Sequence, residues 1–340
     1  MRKIVLGRTN LQVTKTAFGA LPLQRRSVDD AVEILRMAKD EGINFFDTAR
    51  AYTDSEKKLG IAFMGCREDI IIATKTHASN LQEMKEHLKA SLEMLQTSYI
   101  DIYQFHNVKN VPKENDDMYK YMLELKEQGV IRHIGATSHS YDSAVEVIEC
   151  GLYETLQYPV FCLSDEKDLG IIQMCKEHNV GLIAMKGMGG GLIDDAKIAF
   201  SFLGRYDNVA TIWGVQKKEE LQEFIELDKN PPESDDTLNE RISKYRTELG
   251  GEFCRGCGYC LSSCPVGIQI NNCARMSQLL RRAVWQSFVD DEWQKNMKMI
   301  DECIECRKCT EKCPYSLDIP KLLKKNLEDY NQFIKSNGIL

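Results

Sequence analysis

Eight cysteines near the C-terminus carry the most specific chemistry in this sequence. Cys254, Cys257, Cys260 and Cys264-Pro265 are followed by Cys303, Cys306, Cys309 and Cys313-Pro314, so both runs read C-x2-C-x2-C-x3-C-P. Thiolates at that spacing ligate [4Fe-4S] clusters, and the fourth cysteine of each run serves the other cluster. By that rule one cluster takes Cys254, Cys257, Cys260 and Cys313, and the second takes Cys303, Cys306, Cys309 and Cys264. Two one-electron centres are expected. Zinc sites draw their thiolates from two separated pairs rather than from a triplet with a trailing Cys-Pro. Disulfides need an oxidising compartment, yet MRKIVLGRTNLQVTK at the N-terminus contains no apolar export segment. No stretch has the length and apolarity of a membrane span. The expectation is a cytoplasmic protein with reduced thiols, in which Cys66, Cys150, Cys162, Cys175 and Cys273 act as small buried hydrophobes.

A second set of residues suits proton and hydride chemistry: Asp47, Tyr52, Lys75 and His106. Each lies at or just past the end of a run that reads as a β-strand. Singly, Lys75 would be a rim charge and His106 a core histidine; on consecutive strands they converge on one mouth.

The elements that must position them are legible in the alternation of β-rich runs with helical patterns, the signature of βαβ units on a parallel sheet. Strands are expected at Lys15 to Leu21, Asn44 to Ala49, Ile70 to Thr76, Ile100 to His106, His133 to Thr137, Thr155 to Val160, Val180 to Lys186 and Val209 to Val215. Between the first two, Val28, Ala31, Val32, Leu35 and Ala38 repeat at helical spacing, with Ser27 as N-cap and Gly42 just past the end. Eight such units predict a closed (β/α)8 barrel, whose catalytic groups stand at the C-terminal ends of the strands. A doubly wound open sheet is the alternative, but no G-x-G-x-x-G follows the first strand, and the glycines from Gly187 to Gly191 have the wrong spacing. Before the first strand, KIVLGRTNLQVTK reads as a hairpin plugging the barrel floor.

These residues resemble the aldo-keto reductases: FDTARAYTDSEKKLG supplies the Asp and Tyr five apart, IIATKT the Lys and DIYQFH the His, and QGVIRHIGATSH and LQYPVF stand in family positions. The resemblance runs from about Gly7 to Phe224. It implies an enzyme that reduces an aldehyde or ketone with NADPH or NADH, or oxidises the alcohol, in which Tyr52 donates the proton, Lys75 lowers its pKa, Asp47 pairs with Lys75 and His106 orients the substrate oxygen. A tyrosine ordinarily titrates near ~10, and a cation held beside it favours the phenolate. The Tyr52 hydroxyl and a His106 donor would then stabilise the oxyanion left by hydride delivery. The resemblance further implies that Ser138, His139 and Gln157 hold the nicotinamide carboxamide, and that Gly214, Gln216 and Lys217 contact the adenosine phosphates. Three positions depart from the family pattern. His139 replaces a common Asn, Met185 replaces a stacking aromatic and is followed by Lys186 and Gly187, and Glu220 replaces an Arg that often meets a 2'-phosphate. A carboxylate there would repel a phosphate and accept from ribose hydroxyls, whereas Lys217 and Lys218 favour the phosphate, so NADH and NADPH both stay open.

Residues 1–228 are thus read as the barrel, 229–251 as a Pro-rich acidic linker ending in a helix from Leu238 to Leu249 that stops at Gly250-Gly251, and 252–340 as the cluster domain. The 38 residues between Cys264 and Cys303 (303 − 264 − 1) are helical in character. They resemble the helical ferredoxin modules appended to redox enzymes, with Leu317 to Ile334 as a closing helix. The formal charge of −7, or about −11 (−7 − 4) with two clusters each carrying −2, argues against nucleic acid as a partner and leaves small carbonyls or alcohols and redox proteins. Clusters move single electrons and nicotinamides move hydrides, with a flavin the usual adapter; no motif identifies a flavin site. Two alternatives therefore remain beside the reductase: an electron-transfer oxidoreductase coupling the clusters to a flavin or other redox substrate in the barrel, and a non-enzymatic redox-sensing module.

Overall fold

A computed structural model describes residues 1–193, 195–232, 236–249, 253–256, 258, 260–282, 285–313 and 315–339. The chain folds as two compact units, residues 1–187 with 196–234 and residues 188–195 with 235–340. The first unit opens on the antiparallel pair β1 (Lys3–Val5) and β2 (Gln12–Thr14). Eight parallel strands follow: β3 (Thr16–Gly19), β4 (Phe45–Asp47), β5 (Ile71–Thr76), β6 (Ile100–Phe105), β7 (Ile131–Thr137), β8 (Thr155–Pro159), β9 (Gly181–Met185) and β10 (Val209–Gly214). They close into a barrel because β10 pairs with both β9 and β3. Each is followed by one helix: α1 (Val28–Asp40), α2 (Ser55–Ala62), α3 (Leu81–Leu95), α4 (Asp117–Glu127), α5 (Tyr141–Glu149), α6 (Glu166–Glu177), α7 (Ala196–Gly204) and α8 (Lys218–Lys229). All eight expected strands are present, and β7 begins two residues earlier than its apolar pattern suggests.

Local rules account for the helices. The Ser27 hydroxyl accepts the N–H of Asp30 at 3.1 Å and so caps α1, while Gly42 past its end has φ +94°. Ala31, Ile34, Leu35 and Ala38 form the buried stripe, Ile34 taking the place expected for Val32. Burial of Ile34 and Leu35 contributes about 1.5–3 kcal/mol each.

The hairpin seals the barrel floor as its sequence suggests. Leu6 and Val13 are fully buried, and the Arg8 N–H donates to Asn179 O at 2.8 Å, beside the start of β9. The approach is close enough to exclude side chains: a Cβ on Gly7, whose φ is +50°, would lie 2.3 Å from Gly181 N. Above this floor the inward side chains form an apolar layer of Ala17, Phe45, Ala73, Ile102, Ile183, Ala210 and Ile212. Successive residues of a strand face opposite sides. The next inward positions, two residues further along, are therefore Gly19, Asp47, Lys75, Gln104, Met185 and Gly214, at the C-terminal mouth.

The second unit is mainly helical: α9 (Asp236–Leu249), α10 (Ile270–Cys273), α11 (Met276–Arg282), α12 (Asp291–Lys298), α13 (Lys308–Glu311) and α14 (Ile319–Ser336). The closing helix thus begins at Ile319, where Asp318 caps it and Pro320 occupies its first turn. Ile268, Met276, Leu280, Met297, Ile300, Leu323 and Tyr330 are among its core residues. The buried Asn326 fastens α14 to the start of α11, accepting from Ser277 N at 2.8 Å and donating to Ala274 O at 3.2 Å. Gly250 and Gly251, the expected stop of α9, lie outside the described residues. Among the described residues no helix is long and apolar enough to cross a membrane.

Candidate active site

The β-strand alternation brings Asp47 and Lys75 face to face. Lys75 Nζ donates to Asp47 Oδ2 at 2.7 Å and to Thr48 O at 2.5 Å, and the two side chains are 1% and 3% exposed. Burial pushes the Asp47 carboxyl upward, opposed by Lys75 and then by Gln157. Tyr52 stands on the turn between β4 and α2, its ring centroid 5.0 Å from Lys75 Nζ. His106 follows directly on β6, and its ring meets Tyr52 edge-on at 5.9 Å. All four residues therefore gather at one mouth.

The electrostatics differ in one respect from the sequence expectation. Lys75 does draw the Tyr52 pKa downward, but burial acts more strongly in the other direction and the net displacement is upward. The Tyr52 phenol keeps its proton at neutral pH. Burial, then Lys75 and His77, depress His106 to about 3, so this imidazole is neutral and carries one N–H donor. The arrangement is a protonated phenol and a neutral imidazole donor beside a buried cation, which suits protonation of a carbonyl oxygen.

The residues expected around a nicotinamide fall into two groups. Gln157 is buried on β8, accepts from Gln104 Nε2 at 3.2 Å and donates to Met185 Sδ at 3.8 Å. His139 has its pKa driven well down by burial, then by Lys186 and His106. Lys186 adopts φ +61°, and Gly187 packs so closely that a Cβ would lie 2.7 Å from the Trp213 ring, which itself stacks on Phe200 of α7. Ser138 instead engages backbone, donating to Val108 O (3.1 Å) or Ser140 O (3.3 Å) and accepting from Ser140 N at 3.0 Å. Gly214 and Lys217 are exposed at the end of β10. Glu220 serves its own helix, its Oε2 accepting from Gln216 N at 2.8 Å and Lys217 N at 3.2 Å and so capping α8. Gln104 was not anticipated, though a glutamine at an inward position of the buried run IDIYQF is a signal that could have found it.

In the second unit, Cys264, Cys303, Cys306 and Cys309 line one small cavity, with Ile268, Ile270 and Leu323 among its apolar walls. These are the four thiols that the exchange rule assigns to one cluster. Of the other four, Cys254 and Cys260 are buried and Cys313 half-buried; Cys257 lies outside the described residues. The two runs share a backbone signature. Positive φ recurs at equivalent positions: Gly256 (65°) and Glu305 (52°), Gly258 (85°) and Arg307 (58°), Gly267 (82°) and Ser316 (51°). Left-handed residues between right-handed ones turn successive N–H groups into an anion-binding concavity of the kind found at iron-sulfur sites. The donor set and the loop geometry fit a cluster in each run. The remaining thiols are not grouped: Cys162, Cys175 and Cys273 are fully buried, and burial pushes Cys175 and Cys273 up to about 12. Cys66 and Cys150 are half-buried, each donating weakly to the carbonyl three residues earlier.

Residues 3–234 match the Aldo/keto reductase family, and residues 253–318 match a 4Fe-4S dicluster domain. The chain belongs to the aldo/keto reductase family. Among curated relatives of this aldo/keto reductase, the uncharacterized oxidoreductase YqkF of Bacillus subtilis is 30% identical over 57% of the chain and 67% of its own length. The L-galactose dehydrogenase of Arabidopsis thaliana is 31% identical over 56% of the chain and 66% of its own length. The match thus spans about two thirds of either relative. Of solved structures, the aldo-keto reductase AKR11C1 of Bacillus halodurans superposes with a TM-score of 0.64 over 72% of this chain and 96% of that one, at 24% identity. An aldo/keto reductase of Klebsiella pneumoniae in complex with NADPH gives 0.62 over 72% and 95%, at 19% identity. At those identities the likeness is one of fold, a (β/α)8 barrel, which here precedes a helical ferredoxin-like region.

Proposed function

We propose that this aldo/keto reductase reduces a small aldehyde or ketone, with Tyr52 as proton donor, and that residues 252–340, reached through the linker 229–251, hold two [4Fe-4S] clusters. The observation that carries the reading is the buried Lys75–Asp47 pair at 2.7 Å, with Tyr52 and His106 gathered over it. A nicotinamide dinucleotide, when bound, supplies the hydride. Tyr52 holds the proton at its hydroxyl at neutral pH, where a carbonyl oxygen can take it up. His106, neutral through the physiological range, orients the carbonyl oxygen and stabilises developing negative charge. Asp47 holds Lys75 in place through their 2.7 Å ion pair.

His139, Gln157, Met185, Lys186 and Gly187 would hold the nicotinamide end, Ser138 would shape the loop that carries His139, and Gly214, Gln216 and Lys217 would face the phosphates. The Klebsiella pneumoniae relative's complex with NADPH supports that class of cofactor. Because Glu220 is occupied with capping α8, NADH and NADPH are to be compared directly. Cys254, Cys257, Cys260 and Cys313 would hold one cluster, and Cys303, Cys306, Cys309 and Cys264 the second; the four-cysteine cavity supports the latter set. Thiols kept for ligation fit a reducing, cytoplasmic setting.

The test is Tyr52→Phe in the anaerobically purified, cluster-loaded full chain, assayed against a panel of small aldehydes and ketones with NADH and with NADPH. The rate falls by about 10²–10⁴, while nucleotide binding and the broad visible absorbance of the clusters persist. Parental turnover in Tyr52→Phe would sink the mechanism. Bleaching of the clusters by either nucleotide would show electron exchange with the barrel.

A further inference from the structure

Where β5 runs into α3, three metal-ligating side chains outside the carbonyl-reducing set come together. His77 follows β5 directly, and Glu83 and His87 stand one turn apart on α3. Their nearest donor atoms all lie within 4.8 Å of one another, and they are the one such group of three found among the described residues. The His77 and His87 ring centroids are 4.5 Å apart, and His87 Nε2 lies 3.8 Å from Glu83 Oε1.

What separates this cluster from a chance meeting of polar side chains is how the other atoms of two ligands are engaged. His87 Nδ1 is 2.9 Å from the Thr76 hydroxyl, which fixes the ring and leaves Nε2 directed at Glu83 and His77. Glu83 Oε2 accepts from Ser79 N at 2.7 Å and from the Ser79 hydroxyl at 2.9 Å, leaving Oε1 turned toward His87. Metal-bound histidines and carboxylates are commonly held by such outer hydrogen bonds.

We propose that His77, Glu83 and His87 form a site for a divalent transition-metal ion of the zinc, cobalt or nickel class, at the rim of the barrel mouth. Two imidazoles and one carboxylate suit a borderline ion rather than magnesium or calcium, which take oxygen ligands. Donors about 2.0–2.2 Å from a tetrahedral ion stand roughly 3.4 Å apart, so the 3.8 Å gap between His87 and Glu83 needs to close by only a few tenths of an ångström. His77 is exposed, with its ring centroid 4.5 Å from that of His87. Three protein donors leave a fourth position for water or a ligand from solvent. The site adjoins the carbonyl-reducing residues through Thr76, which follows Lys75, holds the His87 ring and accepts the His106 N–H at 2.8 Å.

The experiment is anaerobic calorimetric titration of the cluster-loaded full chain with Co2+, with Mg2+ as the contrasting ion and visible absorbance recorded to verify that the clusters are unchanged. One Co2+ binds per chain, Mg2+ does not compete, and His77→Asn and His87→Asn each weaken binding by about tenfold or more, as removal of one of three donors requires. His77→Asn alters an exposed side chain, so a loss of binding there is not attributable to misfolding. Equal affinity and stoichiometry in the parent and both variants would place the metal on cysteine or elsewhere and overturn the proposal, as would the absence of binding in the parent.

Discussion

The Lys75–Asp47 pair lends itself to a double-mutant cycle. At 2.7 Å, with both side chains almost wholly buried, the attraction is about 6 kcal/mol at an effective dielectric of ~20, and desolvation offsets much of it. The asymmetry matters more than the sum: removing one partner leaves the other uncompensated, at a cost of about 3–5 kcal/mol. Asp47→Asn and Lys75→Met should each destabilise the barrel by that amount, while the double variant loses clearly less than the two combined, with a coupling of at least ~2 kcal/mol. The two units need not unfold together, so the probe must lie in the barrel. Trp213 on β10, stacked on Phe200 at 4.2 Å, serves once Trp285 and Trp293 are changed to Phe, and urea unfolding is then followed by its fluorescence. The pH dependence supplies a sign. In Lys75→Met the buried Asp47 has a folded pKa above its unfolded one, so its penalty is present at high pH and diminishes as pH falls through the folded value. Additive single variants within ~0.5 kcal/mol, or a Lys75→Met penalty that grows as pH falls, would refute the coupling.

Two further predictions concern the barrel base and the cysteine loops. Burial tends to raise the Glu154 pKa, but His133, Lys126 and the Ile134 N–H override it and bring the carboxyl down to about 2; its stabilisation is full above the unfolded value of 4.5 and is lost as pH falls through 2. After allowance for solvent screening it is about 1–2 kcal/mol, so Glu154→Gln should flatten acid unfolding of the barrel between those limits, and an unchanged acid limb would contradict the assignment. In the cysteine runs, Gly256→Ala places a Cβ at φ +65° and 2.4 Å from Arg275 Nη1, whereas Ser316→Gly relieves a residue at φ +51°; a left-handed side chain costs about 1–2 kcal/mol. Gly256→Ala should lower iron content per chain and Ser316→Gly should leave it unchanged with slightly raised thermal stability, and the reverse order would show that these positions do not govern the loops.

The parts of this molecule written in local pattern were legible in the sequence. β-rich runs spaced by helical stripes disclosed eight strands, Ser27 and Gly42 bounded α1, and KIVLGRTNLQVTK made the floor hairpin. The meeting of Asp47 with Lys75 follows from strand parity, since both sit two residues beyond an inward apolar residue, Phe45 and Ala73. What eluded the sequence depends on balances across the fold. The direction of the Tyr52 shift is a contest between burial and one cation, and composition does not reveal burial. Glu220 was placed against a ribose by its family position, yet its carboxylate lies within reach of two N–H groups of its own helix start and caps them. The convergence of His77 with Glu83 and His87 depends on where the β5–α3 turn directs an exposed ring, which no spacing rule fixes.

The cysteine runs show a deeper regularity than their spacing. In the first, the left-handed positions are Gly256, Gly258 and Gly267, where a positive φ carries no side-chain penalty. In the second, the same conformations fall on Glu305, Arg307 and Ser316, residues that resist them. Residue preference therefore does not set the loop shape in the second run. A shape kept against preference is kept because something favours it, and inward-turned N–H groups around concentrated thiolate charge are a sufficient reason. On the proposed loading, the ferredoxin-like unit draws part of its stability from what its cysteines hold. The barrel, by contrast, closes on its own layers of Leu6, Phe45, Ile102 and Ile183, so iron depletion should loosen the second unit before it disturbs the reductase mouth.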